Sequence, residues 1–290
     1  MTGSGELVWT AWPGERFELG EGLRHFDGGL VMVDILSGRL LGLPQTADAP
    51  ARVLARLAEP LGAVAPLAGG GWIAAAGTGI AVLGSGAVRW LGRPEDDAAT
   101  PMRMNDGAAD PHGRFWAGSM AYDNEPGAGS LYRVDLDGTV HRVLDGLTVP
   151  NGPAFDADGV TMYLADSAHG VIRRCTVDPE TGGIDDVAEF ATVSDASPDG
   201  MAVDAEGHLW SAIWGAGQVH RYAPDGALDR KITLPAVQPT SVCLTGTRLV
   251  VTTASIGLAD PADADGAVLA APLPVAGLPA CVAKIIDQPR

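Results

Sequence analysis

The sequence predicts an all-β chain folded as one six-bladed β-propeller of four-stranded antiparallel blades, its ring closed by the N-terminal strand. Three observations carry this expectation. Six times a glycine turn leads into an apolar strand: Gly28-Gly-Leu-Val-Met-Val-Asp34, Gly70-Gly-Trp-Ile-Ala-Ala, Gly113-Arg-Phe-Trp-Ala-Gly, Gly159-Val-Thr-Met-Tyr-Leu-Ala-Asp166, Gly207-His-Leu-Trp-Ser-Ala and Gly246-Thr-Arg-Leu-Val-Val-Thr-Thr. The leading glycines stand 39 to 48 residues apart, the spacing of a four-stranded blade. A second series, led by Gly38, Gly86, Gly129, Gly170, Gly217 and Gly266, follows the first by 10 to 20 residues, as the next antiparallel strand after a hairpin does.

Taken in order, Glu6-Leu-Val-Trp-Thr-Ala-Trp12 is strand-like and precedes the first repeat. It is expected to pair with the last blade, because closure removes two sheet edges. Ala51-Arg-Val-Leu-Ala-Arg-Leu-Ala58 has helical composition but sits where an outer strand is due. Val140-His-Arg-Val-Leu144 and Arg230-Lys-Ile-Thr-Leu234 supply later strands, and Asp137-Gly138, Asp158-Gly159 and Asp225-Gly226 punctuate them. The repeats fill the 290 residues, so residues 1–290 are read as a single domain. A β-sandwich or a pair of β domains does not account for six-fold recurrence in both series.

A chain of this size buries ample core without staples. Its formal net charge of -17 repels phosphates and anionic lipid, which argues against nucleic acid and membrane partners. Cys175, Cys243 and Cys281 are far apart and odd in number, which suits a reducing cytoplasm rather than a disulfide framework. The start of the chain lacks the pattern of a signal peptide, and no apolar run approaches the ~20 residues of a membrane span. Nothing in the sequence fixes an oligomeric state.

In a propeller the innermost strand of each blade faces the central channel, so equivalent positions point at one another. Eight residues before each leading glycine (seven in the first repeat) stand Glu21, Gly62, Asn105, Asn151, Asp199 and Gln238. Taken singly, Asn-Gly and Asp-Gly are ordinary turn pairs. As a ring, acids and amides are costly to bury with nothing between them. A divalent cation offsets that cost, and carboxylate and amide oxygens suit Ca²⁺, Mg²⁺ or Mn²⁺ better than soft metals. Other chemistry has little support. The histidines are scattered, with His112 and His208 in repeat turns, and no G-x-S-x-G elbow is present. Gly77-Thr-Gly79 and Gly84-Ser-Gly86 lack the Lys-Ser/Thr of a phosphate loop. Trp116 and Trp210 share one repeat slot, which marks them as blade packing.

Several stretches together resemble the senescence marker protein / gluconolactonase / luciferin-regenerating enzyme family. They are Gly20-Glu-Gly22 with Leu30-Val-Met-Val-Asp-Ile35, Arg103-Met-Asn-Asp-Gly107 with Asp110-Pro-His-Gly-Arg-Phe-Trp-Ala-Gly-Ser-Met120, Gly129-Ser-Leu-Tyr132, Asn151-Gly-Pro-Ala-Phe155, Met162-Tyr-Leu-Ala-Asp166, Pro198-Asp-Gly-Met201 with Asp204-Ala-Glu-Gly-His-Leu-Trp210, and Pro239-Thr-Ser241 with Val251-Thr-Thr-Ala254. They run in family order over nearly the whole chain. The resemblance implies one catalytic divalent metal in the channel mouth, Ca²⁺ first and Mg²⁺, Mn²⁺ or Zn²⁺ as alternatives. It also implies hydrolysis of a small-molecule lactone. It carries the metal ligands onto Glu21, Asn151 and Asp199, and substrate contacts onto Arg103, Asn105 and Asp123. The chain departs from the family at Leu23 and His25, where Pro and Trp are usual, and at Asp123, where Glu is usual. These departures bear on substrate more than on metal.

The expected mechanism has the metal polarise the lactone carbonyl and acidify water, Asp199 act as general base, and Arg103 and Asn105 hold hydroxyls and the developing oxyanion. Rival expectations are a phosphotriesterase-like hydrolase, a carbonyl isomerase or lyase on the same site, and a binding propeller with a structural metal.

Overall fold

The computed structural model describes residues 7–84 and 86–286. Among them lie six four-stranded antiparallel sheets arranged as a propeller. Blades 1 to 6 begin with the inner strands Gly20–Phe26, Leu61–Pro66, Met102–Ala109, Pro150–Phe155, Ser197–Val203 and Pro239–Leu244. Each leading glycine sits in the turn between the first and second strands of its blade. Gly28 and Gly207 there have φ of 71° and 81°, a left-handed conformation open to glycine without a Cβ penalty. That requirement is what makes the repeat readable.

Thr10–Ala11 pairs antiparallel with Val268–Pro272, as the outermost strand of the sixth sheet. The Trp12 amide then donates to Val268 O at 2.9 Å. Glu6, the first residue of the expected closing run, lies outside the described residues. The Ala51–Ala58 run forms the outer strand Arg52–Arg56. In blade 2 the second glycine series marks the outer strand Val88–Gly92, not the third, which is Gly79–Leu83. The tight Gly77-Thr-Gly79 hairpin joins second and third strands there, so the glycine-led run of the third strand is Gly79-Ile-Ala-Val-Leu83, nine residues after Gly70, rather than Gly86-Ala-Val-Arg-Trp90.

The core lies between adjacent blades. Ala63, Ile73 and Ile80 of blade 2 pack with Met104, Phe115 and Tyr132 of blade 3. Trp116 and Trp210 are fully buried, and their indoles donate to Asp110 (3.0 Å) and Asp204 (2.8 Å) six residues earlier. This shared turn-to-strand clamp confirms them as packing residues.

One feature positions the site, and a second spans the face opposite it. First, all six inner strands shift register at one level: between Glu21 and Arg24, Leu61 and Ala63, Met104 and Gly107, Asn151 and Ala154, Pro198 and Met201, and Pro239 and Ser241. A bulge bends its strand and re-aims the side chains around it. By this alignment the counterpart of Asp199 in blade 6 is Thr240, not Gln238; counting from the glycines ran two residues off. Second, residues 276–286 cross the far face of the ring. They bond in turn to blades 5, 1, 2 and 3 through Ala205, Val203, His25, Pro66, Ala68, Gly113 and Leu136, and Ala276 bridges Thr245 of blade 6.

Candidate functional site

The bulges bring Glu21, Arg103, Asn105, Asn151 and Asp199 to one cavity of about 410 Å³ at the upper mouth of the channel. All five are at least nine-tenths buried. Each carboxylate at this level is pinned by the glycine that follows it. Gly22 N donates to Glu21 Oε2 at 2.9 Å, Gly107 N to Asp106 Oδ1 at 2.8 Å, and Gly200 N to Asp199 Oδ1 at 3.0 Å. The acid-glycine pairs of the sequence are thus local anchors within bulges, as well as turn formers.

The amides are fixed by a one-way hydrogen-bond chain through three blades. Arg103 Nη1 donates to Asn105 Oδ1 at 2.7 Å. Asn105 Nδ2 donates to Asn151 Oδ1 at 2.9 Å, and Asn151 Nδ2 to Ser167 Oγ at 2.8 Å. The Ser167 hydroxyl then donates to Pro198 O. The chain starts at a guanidinium, which only donates, and ends at a carbonyl, which only accepts, so each amide has one allowed orientation.

Electrostatics set the acids apart. Burial, and then the negative charges of Asp199 and Asp106, push the Glu21 carboxyl well above the usual range. Asp199 is raised well above its usual value by burial and then by Asp106. Burial also raises Asp106, against the pull of Arg24, and lowers Arg103. Below the acids, Arg24 Nη2 donates to Gly107 O at 2.9 Å and meets Asp106 Oδ1 at 3.3 Å. This pair stands between the upper cavity and a second one of about 290 Å³ at the lower end, and the two share no lining residue.

Two members of the arrangement were missed from sequence. Asp106 carries the same acid-glycine signature as Glu21 and Asp199, but only one residue per blade was counted. Ser167 follows the second strand of blade 4 and had no repeat signal. Asp123 is exposed and does not line the cavity; its Oδ1 accepts from Glu125 N at 3.2 Å, while Tyr122 and Asn124 line the rim. Leu23 and His25 line the lower cavity, which places those two departures on the far side of the floor. A separate group, Asp204, Glu206 and His208, brings ligand atoms within 4.8 Å of one another. There Asp204 Oδ2 already accepts from Trp210 and Arg221, so it is spent on the blade clamp.

Fold and cavity together define a six-bladed propeller with a well of buried acids and amides at one mouth of its channel. The chain belongs to the SMP-30/gluconolactonase/LRE-like family, whose model matches residues 19–255. It is 37% identical over 206 residues to an L-arabinolactonase of Azospirillum brasilense, covering 68% of each chain. It is 36% identical over 222 residues to a 6-deoxy-6-sulfogluconolactonase of Pseudomonas putida, covering 75% of each. Among solved structures, the calcium-binding protein regucalcin from Agrobacterium tumefaciens superposes with a TM-score of 0.86 at 28% identity, covering 96% of this chain and 97% of that one. No helix among the described residues is long and apolar enough to cross a membrane.

Proposed function

We propose that the protein opens sugar lactones or similar cyclic esters by hydrolysis, with one divalent cation held by Glu21, Asn151 and Asp199. The observation that carries this reading is the pair of buried carboxyls, Glu21 and Asp199, raised by burial beside a fixed amide wall. Such acids resist charging alone, and an oxygen-only donor set fits a hard cation, Ca²⁺ first, with Mg²⁺, Mn²⁺ and Zn²⁺ to be compared. The relatives named as lactonases support the reaction class. When bound, the cation supplies Lewis acidity toward the lactone carbonyl and lowers the pKa of water.

Asp199 accepts the proton of the attacking water. Asn105 orients Asn151 by donating to its oxygen, and Ser167 holds that orientation from the other side. Arg103 uses Nη1 on Asn105 and on Met104 O, and turns the rest of its fork to substrate hydroxyls and the developing oxyanion. Asp123 is a contact at the mouth only, for the part of a substrate that projects from the well. The three cysteines, all free thiols, suit the proposed cytoplasmic setting.

The test is pH-stat hydrolysis of a panel of aldonolactones and one phosphotriester, with chelated enzyme reloaded with each cation. Chelation is expected to abolish lactone turnover and reloading to restore it. Asp199→Asn should lose roughly 10²–10⁴-fold in kcat even at saturating cation, whereas Asn151→Asp should keep much of it. Full rescue of Asp199→Asn by cation removes its role as base. Cation binding without turnover of any substrate makes the protein a binding propeller.

A further inference from the structure

The wall of the well is divided by sector. Arg103, Asn105, Asn151 and Ser167, from blades 3 and 4, line it with the hydrogen-bond chain described above, beside Met120 and Val149. The corner where blade 6 meets blade 1 is lined by Ile256, Leu19, Ile35 and Leu36, with Trp214 of blade 5 beside it. Those four aliphatics offer no side-chain hydrogen-bonding group. Leu19 and Ile35 belong to a buried hydrophobic cluster, against which Leu36, Trp214 and Ile256 pack while remaining only partly buried. The cavity therefore sets a built apolar face beside an oriented polar one.

We propose that the lactone this site takes is two-sided. Its hydroxyls face Arg103 and Asn105, and a carbon bearing no oxygen faces Leu36, Trp214 and Ile256. Among sugar lactones this describes a 6-deoxyaldonolactone in preference to its 6-hydroxy counterpart. The inference rests on the lactonase reading and narrows it. A hydroxyl pressed on Leu36 and Ile256 loses water and finds no side-chain partner in them. A methyl group there sheds apolar surface from water. A difference of one such group in an apolar pocket is worth roughly 10- to 200-fold in kcat/KM.

Two matched pairs test it: L-fucono- against L-galactono-1,4-lactone, and L-rhamnono- against L-mannono-1,4-lactone. Each pair differs only in a terminal methyl or hydroxymethyl group. The cation-loaded enzyme should prefer the methyl member of at least one pair by roughly tenfold or more in kcat/KM. Leu36→Asn and Ile256→Thr should each pull that ratio toward unity, mainly through KM for the methyl member. The second variant keeps the branched shape, should the first fail to fold. Equal or reversed preference in both pairs overturns the inference while leaving lactone hydrolysis standing. So does turnover of glucono-1,5-lactone with neither pair accepted, or a ratio that the variants do not move. If glucono-1,5-lactone and all four lactones are inert with every cation, the lactonase reading itself fails and this inference with it.

Discussion

His220 sits in the third strand of blade 5, with Tyr222 Oη 2.9 Å from Nδ1 and Gln218 Oε1 2.9 Å from Nε2. Nε2–H donates to the amide oxygen and Nδ1 accepts the phenol proton, so both nitrogens are satisfied in the neutral ring. Burial, and then the charge of Lys231, lower its pKa to about 4. In the unfolded chain it titrates near ~6.5. A base depressed by folding contributes stability that is complete above ~6.5 and is lost as pH falls toward about 4. His220→Gln should therefore flatten the acid limb of the unfolding free energy between those values, measured by urea melts across pH. An identical slope in the variant would rule this histidine out. At the site, Glu21, Asn105, Asn151 and Asp199 were legible because each stands seven or eight residues before a repeat glycine. Ser167 was not, since a serine after a strand carries no period, and its role depends on which amide hydrogen points at it. Asp123 keeps the family spacing yet lies outside the well, because spacing does not reveal which residue of a turn faces inward.

The bulged inner strand is the element that converts repeat into site. Alternation alone would send neighbouring residues to opposite faces of a strand. The bulge instead leaves Asn105 and Asp106 both unpaired between Met104 and Gly107, and both reach the channel level. The sequence could place the six strands but not their bulges, so the ring drawn from it reached the cavity in blades 1, 3, 4 and 5 and was misplaced in blade 6. Blade 2 contributes Gly62 at this level, and a Cβ there would stand 2.3 Å from Asn105 O. That atom is backbone and cannot rotate away. Gly62→Ala should cost roughly 1–3 kcal/mol, as overpacking does, and by displacing the Asn105 peptide it should lower kcat as well. Thermal melts and lactone kinetics on one preparation check both halves. Normal stability together with normal kcat would mean that the inner strands are not held at this separation.

Across the whole molecule, the segment 276–286 ties five blades together on the face away from the well. The order of blades was legible from the glycine series. This strap was not, because its residues pair one or two at a time with different blades and show no strand pattern. Ending the chain after Val275 should lower the melting temperature by roughly 15 °C or more, since the strap's backbone hydrogen bonds, at ~1 kcal/mol each, are all lost. Below that temperature kcat should survive, because the strap and the well occupy opposite ends of the channel. Loss of both together would show that the two faces are coupled. The Arg24–Asp106 pair between those ends has a different kind of consequence. It makes the propeller's axis a blind alley rather than a corridor. Under the proposed lactone hydrolysis, a ring-opened acid would leave by the doorway through which its precursor came in, so departure and the next arrival would queue for the same opening.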